Sequence, residues 1–220
     1  MLEIWGRRNS ANVIPVMWTV GELGLEHVRH NIGGSFGGDE TEEYLKLNPN
    51  QLIPTINDNG FIMWESIAIT RYLSRQYGNG SLWPTDPQQA ARADQWMDWY
   101  KSNIYPNLMP VFFNLVRTPR EKRDMGKIRD GSAATIKQLR ILEQHLGNQP
   151  YVAGDSFTMG DIPLGAIIYK FYNLDIERPD LPNIEAWYER LCDRPAYKTH
   201  AMIAFGSSPE EWLALEKAGA

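Results

Sequence analysis

The sequence contains only one cysteine, Cys192, among its 220 residues. A single thiol excludes an internal disulfide, a CxxC redox pair and a zinc site built from several thiolates. The four histidines are scattered. His27 and His30 lie three apart in a strand-like run, which directs their side chains to opposite faces. We therefore predict no metal centre.

Basic residues are fewer than acidic ones. The sequence has 22 Lys and Arg residues and 27 Asp and Glu residues, which gives a formal net charge of -5. Nucleic-acid-binding proteins normally carry a basic face, so we expect no nucleic-acid partner. No apolar run reaches the roughly 18 residues of a membrane helix, and we expect no membrane partner. The opening residues, MLEIWGRR, lack the basic-then-apolar order of a signal peptide. These features together predict a cytoplasmic protein.

Short strand-like and helical patterns alternate in the first part of the sequence. LEIWG and HVRHNI read as strands, and between them apolar residues recur at three- and four-residue spacing from Val13 to Leu23. QLIPTINDNGFIMW reads as two strands joined by a turn at Asn57 to Gly60. ESIAITRYLSRQYG then predicts a helix that ends at Gly78. This order predicts a mixed sheet, with a parallel first pair and a hairpin at the end.

A stretch rich in Gly, Pro and Asp, GNGSLWPTDPQQ, follows at residues 78–89 and marks a domain boundary. The sequence beyond it has helical patterns only. We predict an α+β chain of two domains: a mixed-sheet domain at 1–80, a linker at 81–88 and an all-helical domain at 89–220.

Helix boundaries in the second domain are predicted from caps and prolines. Asp86, followed by a proline, should open a long helix, and Pro106 and Pro110 should kink or end it. In TPREKR, Thr118 and Glu121 have the spacing of a capping box, which predicts a new helix there.

Two further starts follow the same rule. Thr158 and Asp161 have cap spacing before an apolar run, and we leave them out of the functional site. The tail from Ser207 onward predicts a short helix whose Trp212, Leu213 and Leu215 dock near a ligand pocket or on the domain surface. A disordered extension is the alternative.

This order of elements resembles the cytosolic glutathione S-transferase superfamily, in which a thioredoxin-like domain precedes an all-helical one. Four stretches carry the resemblance: WGRRNSANV, NPNQLIPTI, WESIAITRYL and FTMGDIPL. ADQWMDW and LVRTP further indicate a bacterial, serine-type (theta-like) subgroup. The resemblance implies glutathione as co-substrate, with no metal.

Pro54 lies inside a strand-like run, where proline is confined to an edge or a bulge. By itself this predicts only an edge strand. The resemblance implies that the peptide before Pro54 is cis, and that the backbone of Ile53 pairs with the cysteinyl part of glutathione like an added strand.

Glu65 and Ser66 come where a strand turns into a helix. Ser66 alone fits a helix cap, but a capping box would need Glu or Gln at the position of Ile69, so Glu65 has no such local role. The resemblance implies that Ser66 and Glu65 hold the γ-glutamyl carboxylate and ammonium of glutathione. Asp94 has the character of a solvated helix residue, although the resemblance implies a reach toward the neighbouring subunit's glutathione.

Ser10 and Asn12 are the candidate catalytic residues. If Ser10 capped the first helix, Pro15 would be the fifth helical residue and would remove a backbone hydrogen bond. With Asn12 as the cap, Pro15 falls at the third position, where its missing N–H costs little. We therefore assign the cap to Asn12 and the contact with the glutathione sulfur to Ser10. The reverse assignment, in which the Asn12 amide contacts the thiolate, stays open.

The predicted function is a glutathione transferase that stabilises the glutathione thiolate for attack on a small electrophile. Phe112, Phe113 and Arg117 are expected to line the electrophile pocket, although the two aromatic residues also fit a plain core. Glutathione-dependent reduction of peroxides or disulfides at the same site is one alternative, and a non-catalytic binding module is another.

We also expect a homodimer. The resemblance implies pairing through a helix of the first domain and the long helices of the second. Trp96, Trp99 and Tyr100 provide more aromatic surface than one helical bundle easily hides, unless all three belong to the core of their own chain.

Overall fold

The computed structural model describes residues 1–219, and Ala220, the last residue of the predicted helical domain, lies outside them. The elements are β1 (Leu2–Trp5), α1 (Val13–Glu22), β2 (His27–His30), α2 (Glu42–Leu47), β3 (Thr55–Asp58), β4 (Phe61–Trp64), α3 (Ser66–Tyr77), α4 (Pro87–Trp99), α5 (Tyr105–Val116), α6 (Met125–Leu146), α7 (Asp161–Asn173), α8 (Pro182–Cys192), α9 (Pro195–His200) and α10 (Pro209–Ala218). Within this described part, all named elements after β4 are helices. The predicted α+β fold, a mixed sheet followed by a helical domain, is confirmed.

The sheet has the strand order β2-β1-β3-β4. β1 runs parallel to β2 and antiparallel to β3, and β3 and β4 form an antiparallel hairpin. The hairpin turn is shorter than predicted, because Asn57 and Asp58 pair inside the sheet. Only Asn59 and Gly60 remain in the turn, with φ of 52° and 98°. Positive φ at both central residues is typical of the tight turn that matches strand twist.

Two apolar cores meet at α1. One side of this helix packs with the sheet and α3 through residues such as Val16, Ile56 and Leu73. Trp18, on the other side, is fully buried in the core of the helical domain. A Cβ added at Gly165 of α7 would lie 2.7 Å from the Trp18 ring, so the two helices approach closely there. This packing fixes how the sheet domain and the helical domain face each other.

α4 and α5 follow each other with almost no interruption. α4 ends at Trp99, a π-helical turn spans Tyr100–Ile104, and α5 then continues with Pro110 inside it. Pro106 lies in the first turn of α5, where backbone N–H groups have no partner within the helix. At the predicted proline break the helix therefore changes to a π-helical turn and continues as α5.

The capping box predicted at Thr118 is wrong. The Thr118 hydroxyl donates to the Phe113 carbonyl at 3.0 Å, and only a 3-10 turn follows, at Arg120–Lys122. α6 begins later, where the Asp124 side chain accepts the Lys127 N–H at 3.0 Å. The box failed because Thr118 closes the preceding helix instead of opening the next.

Two other predicted caps, at Asp86 and Ser208, are present. The side chains of Asp86 and Ser208 accept backbone N–H groups at the starts of α4 and α10. The predicted cap at Thr158 is wrong, because α7 begins after Gly160 and has no side-chain cap hydrogen bond. Asp161 nevertheless accepts the Thr158 N–H at 3.0 Å and the Thr158 hydroxyl at 3.3 Å. It also accepts the Trp187 indole N–H at 2.9 Å, which ties α7 to α8.

Two of the three aromatic residues expected at a dimer surface are buried within the chain. Trp96 is 7% exposed and Tyr100 2%, and both belong to the helical core, while Trp99 is half-buried against it. This part of the argument for a homodimer is therefore wrong. No helix among residues 1–219 is both long and apolar enough to cross a membrane.

Candidate functional site

A cleft of about 400 Å³ lies between the sheet domain and α5, with α10 at one end. It brings together these sequence-predicted site residues: Ser10, Asn12, Ile53, Pro54, Glu65, Ser66, Phe112, Phe113 and Arg117. Asp94 does not line it. The carboxylate of Asp94 is paired with Arg71 at 2.6 Å, on the surface between α3 and α4.

The loop after β1 leads into α1 through a compact turn. The Ser10 carbonyl accepts the N–H groups of Val13 and Ile14 at 2.9 and 3.0 Å. Asn12 occupies the N-cap position, but its side chain makes no cap hydrogen bond. Its backbone has φ -89° and ψ -25°, whereas a capping side chain needs the extended region. The predicted side-chain cap is therefore wrong, although Pro15 does fall at the third helical position.

The side chains of Ser10 and Asn12 both reach the cleft, but they differ in their protein partners. The Ser10 side chain is buried, and its hydroxyl makes no hydrogen bond within residues 1–219. The Asn12 carbonyl oxygen accepts from the Lys101 ammonium at 3.5 Å. The Asn12 side chain also bonds the Tyr105 hydroxyl, which counteracts part of the rise in the Tyr105 pKa caused by burial.

The loop before β3 presents backbone groups to the cleft. The Ile53–Pro54 peptide is cis. Behind it, Tyr44 and Asn48 donate to the Leu52 carbonyl at 2.6 and 2.7 Å and hold the loop in place. The N–H and C=O of Ile53 have no partner among the described residues. An extended peptide ligand could therefore pair with the N–H and C=O of Ile53 in the manner of an added β-strand.

The start of α3 forms the opposite wall. Ser66 is the first helical residue and is buried, so it does not cap the helix with its side chain. Glu65 occupies the cap position with φ 75°, a strained value for a residue with a side chain, and its carboxylate makes no cap hydrogen bond. The first N–H groups of α3 and the helix dipole therefore face the cleft and favour an anion.

Sequence reasoning missed part of the wall contributed by α5 and the turn before it. Five lining residues follow one another at four-residue spacing: Lys101, Tyr105, Met109, Phe113 and Arg117. Such spacing keeps side chains on one helix face, and it is the sequence signal that identifies Lys101 and Tyr105. Burial lowers the pKa of Lys101 and raises that of Tyr105.

The tail helix closes one end of the cleft. Trp212 of α10 is buried and packs edge-on against Phe112, with ring centroids 5.4 Å apart. Leu213 and Leu215 are exposed, so the predicted docking holds for Trp212 alone.

Arg7, which lines the cleft below Trp212, was also missed. Its position directly after β1, in the same loop as Ser10, was the available signal.

Neither a metal cluster nor the cysteine contributes to this cleft. Among residues 1–219, no group of three or more His, Cys, Asp and Glu side chains could hold a metal ion. Cys192 is half-buried at the end of α8, and burial raises the pKa of its thiol. The absence of a resident metal remains a prediction.

Fold and cleft together define a class of protein. A mixed sheet with a cis-proline loop and two helix N-termini facing one cleft is a thioredoxin-like domain, and here an all-helical domain completes the cleft. The comparisons agree with this class. The family model described as "Glutathione S-transferase, N-terminal domain" matches residues 1–75, and "Glutathione S-transferase, C-terminal domain" matches residues 104–195.

Individual proteins are similar over most of the chain. Glutathione S-transferase GstB of Escherichia coli is 37% identical over 206 residues, 92% of this chain and 99% of its own. Glutathione S-transferase D6 of Drosophila melanogaster is 31% identical over 86% of both chains. A theta class glutathione S-transferase from Xanthomonas axonopodis pv. citri, solved with glutathione bound, superposes with a TM-score of 0.90 at 42% identity, covering 93% of this chain and 99% of that one. The chain belongs to the glutathione S-transferase family, as a bacterial, theta-like member.

Proposed function

We propose that the cleft binds glutathione along the sheet domain and presents its thiolate to a small electrophile on the α5 side. The observation that supports this proposal most is that polar groups from separate parts of the chain meet at one place. Polar groups from three separate loops, after β1, before β3 and before α3, meet in one cleft whose volume suits a small ligand. The glutathione bound to the Xanthomonas relative, which is similar over nearly the whole chain, points to the same ligand.

The tripeptide fits the wall of the sheet domain in an extended form. Its cysteinyl backbone pairs with the N–H and C=O of Ile53, which the chain leaves unpaired. Its γ-glutamyl carboxylate lies at the start of α3 near Ser66, where N–H groups and the helix dipole favour negative charge. Its ammonium faces the carboxylate of Glu65.

This placement brings the sulfur to the loop before α1. A free thiol with a pKa of about 8.5 is only a few per cent ionised at pH 7. Lowering this pKa by roughly 2 units requires about 2.7 kcal/mol of preferential thiolate stabilisation. The Ser10 hydroxyl is a suitable donor, because it lacks a protein partner.

Backbone donors assist at the same point. The N–H groups of Val13 and Ile14 are already bonded to the Ser10 carbonyl, and Pro15 has none. The N–H groups of Ala11 and Asn12 have no such partner among the described residues. They add to the positive end of the α1 dipole, which favours the thiolate over the thiol.

The reaction itself needs only positioning and this stabilisation. The thiolate sulfur attacks an electrophilic carbon, a carbon–sulfur bond forms, and the leaving group departs with the bonding electron pair. Holding both reactants in one cleft removes much of the entropic cost of their encounter. The resulting conjugation is a detoxification reaction for reactive electrophiles.

We also propose a cytoplasmic homodimer. The edge strand β4 and the neighbouring end of α3 leave large apolar side chains in solvent: Phe61, Ile62, Trp64 and Tyr77. Large apolar side chains left exposed at a sheet edge are typical of an interface. For Asp94 to reach a partner's glutathione, it would have to leave Arg71. Sedimentation at micromolar concentration that gives a clean 25.2 kDa species would contradict the dimer.

Titration calorimetry with glutathione tests the binding proposal. Glu65→Gln and Ser66→Ala should each weaken binding by about tenfold, as expected for a lost charge-assisted contact. Glu42→Gln, an exposed acid on α2, is the matched control and should bind like the natural protein. A folded protein with no affinity for glutathione would instead favour the non-catalytic binding module. Turnover of peroxides but not of aryl halides would favour the reductase.

A further inference from the structure

The electrophile side of the cleft carries positive charge that the protein does not neutralise. Arg117 is exposed at the end of α5, and no carboxylate among residues 1–219 lies within ion-pair distance of its guanidinium. The guanidinium instead lies over two aromatic rings, 5.0 Å from the Phe113 centroid and 5.4 Å from that of Trp212.

A second cation, Lys170, lies by the neighbouring rings of Phe112 and Phe205. Lys170 of α7 is 2% exposed, and its ammonium has no ion-pair or hydrogen-bond partner in the described chain. It sits 5.2 Å from the Phe112 centroid and 5.4 Å from that of Phe205. A buried ammonium without a carboxylate is rare, because burial of an unpaired charge is costly.

Arg7 is a third cation near Arg117 and Lys170. Burial lowers the pKa of Arg7, and the charge of Arg117 lowers it further. Burial also lowers the pKa of Lys170, with a smaller contribution from the charge of Arg7. Arg7 itself is balanced by Glu216 at 3.0 Å and by the nearby Asp39. The excess positive charge therefore belongs to Arg117 and Lys170.

The walls between these cations are aromatic. Tyr105, Phe113 and Trp212 line this end of the cleft, and aromatic side chains of this kind favour contact with a flat ring. Among the cations that residues 1–219 place at this end of the cleft, Arg117 alone is both exposed and free of an acid. Its planar guanidinium presents paired donors that match a carboxylate.

Resting on the proposed transferase function, we propose that the electrophile subsite takes a flat, unsaturated electrophile bearing a carboxylate, which Arg117 binds while the ring lies against Trp212 and Phe113. Arg117 is then a specificity-determining residue. The positive charge of Lys170 behind Phe112 supports the same preference from below.

Chloronitrobenzoate and its neutral amide, chloronitrobenzamide, form a matched pair of probes. In both, the glutathione thiolate attacks the ring carbon that bears chlorine, the carbon–sulfur bond forms, and chloride leaves with the bonding electrons. The measured quantity is the ratio of kcat/KM for the acid to kcat/KM for the amide, at saturating glutathione. We expect a ratio well above one in the natural protein, after correction for the uncatalysed rates.

Arg117→Gln should lower this ratio by about tenfold or more, through the acid alone. Arg117→Lys keeps the charge but loses the paired donors, so its ratio should be intermediate. Arg120→Gln, on the exposed turn that follows, is the control and should leave the ratio unchanged. If Arg117 only braces Trp212, Arg117→Gln will slow acid and amide equally, and the inference is then overturned.

Failure of the proposed function is a separate result. It would appear as no calorimetric binding of glutathione and no turnover of either probe. If glutathione binds but neither probe reacts, calorimetry with unreactive nitrobenzoate and nitrobenzamide decides the inference. Equal affinity for the two would overturn it, while tighter binding of the acid, lost in Arg117→Gln, would support it.

Discussion

Arg7 and Glu216 form an ion pair across the mouth of the cleft, 3.0 Å apart, with side chains 12% and 3% exposed. The other oxygen of the same carboxylate accepts the Ser35 N–H at 3.0 Å. Through this one side chain, α10 is joined to the loop after β1 and to the glycine-rich loop after β2. The pair therefore holds Trp212 over the end of the cleft.

Glu216→Gln removes the charge of this contact and keeps its shape. We expect a loss of about 1–3 kcal/mol in the free energy of unfolding, because the largely buried Arg7 guanidinium loses its ionic partner and the Ser35 N–H loses a charged acceptor. We also expect a several-fold higher KM for the electrophile with an unchanged KM for glutathione, because α10 covers only the electrophile end. Denaturant melts and steady-state kinetics measure both effects.

Lys217→Gln, the exposed neighbour on α10, serves as the charge control and should alter neither quantity. Truncation after Gly206 removes the helix entirely and should exaggerate the kinetic effect. If the Michaelis constants are unchanged in both Glu216→Gln and the truncated protein, the tail takes no part in the site.

Ser10→Ala should raise the thiol pKa of bound glutathione by about one unit, equivalent to about 1.4 kcal/mol. The physical reason is the loss of a hydroxyl donor to the sulfur. Ultraviolet absorbance of the thiolate, followed against pH, gives this value directly. Ser102→Ala, on the exposed face of the π-helical turn, is the control.

Asn12→Ala separates the two candidate roles in this loop. Because the side chain makes no cap hydrogen bond, its removal should leave the free energy of unfolding within about 0.5 kcal/mol of the natural value. If Asn12→Ala raises the thiol pKa and Ser10→Ala does not, the two assignments are reversed.

Lys170→Met should stabilise the protein at neutral pH. Burial lowers the pKa of Lys170 from its ordinary value of 10.5 to about 8. Between these two values the unfolded chain binds more protons than the folded one, so stability rises with pH across that window. At pH 7 the full cost of up to about 3 kcal/mol is present, and it fades as the pH approaches 10.5.

The stabilisation by Lys170→Met should therefore shrink as the pH rises from 8 to 10.5, in chemical denaturation at a series of pH values. Lys198→Met, an exposed lysine on α9, is the comparison and should show no such trend. Parallel stability curves for Lys170→Met and the natural protein would refute a strained, buried ammonium.

Gly165→Ala should disturb the contact between the two domains. The added methyl group would lie 2.6 Å from Leu191 and 2.7 Å from the Trp18 ring, closer than packed carbons allow. Overpacking of this kind costs about 1–3 kcal/mol. Gly126→Ala, in the first turn of α6, meets only the Asp124 side chain at 3.2 Å and serves as control. Equal melting temperatures for the two variants would contradict this packing.

Local patterns in the sequence determined most of the elements. Caps such as Asp86 and Ser208, the Asn59–Gly60 turn and the four-residue periodicity of α1 act through neighbours in the chain. Such interactions can be predicted from the sequence wherever a side chain has only one possible local partner. Thr118 shows the limit, since its hydroxyl had two possible partners and bonded to the preceding helix.

Resemblance to a family identified the loops of the candidate site, while the tertiary structure decided how they meet. The Asn12 side chain turns toward Lys101, 89 residues away, and leaves the helix uncapped. A contact between residues so far apart cannot be predicted from the local sequence. The stripe from Lys101 to Arg117 has a visible period, but the period does not say which domain it faces.

The cleft itself depends on partners far apart in the chain. Arg7 and Glu216 pair across almost the whole sequence, and Trp18 meets α7 only because Gly165 allows the approach. The sequence by itself determined which helices and strands form, because those are stabilised by neighbouring residues. Only the tertiary structure decided which charges are neutralised and which, like Arg117, remain free, because charge pairing depends on distance in space.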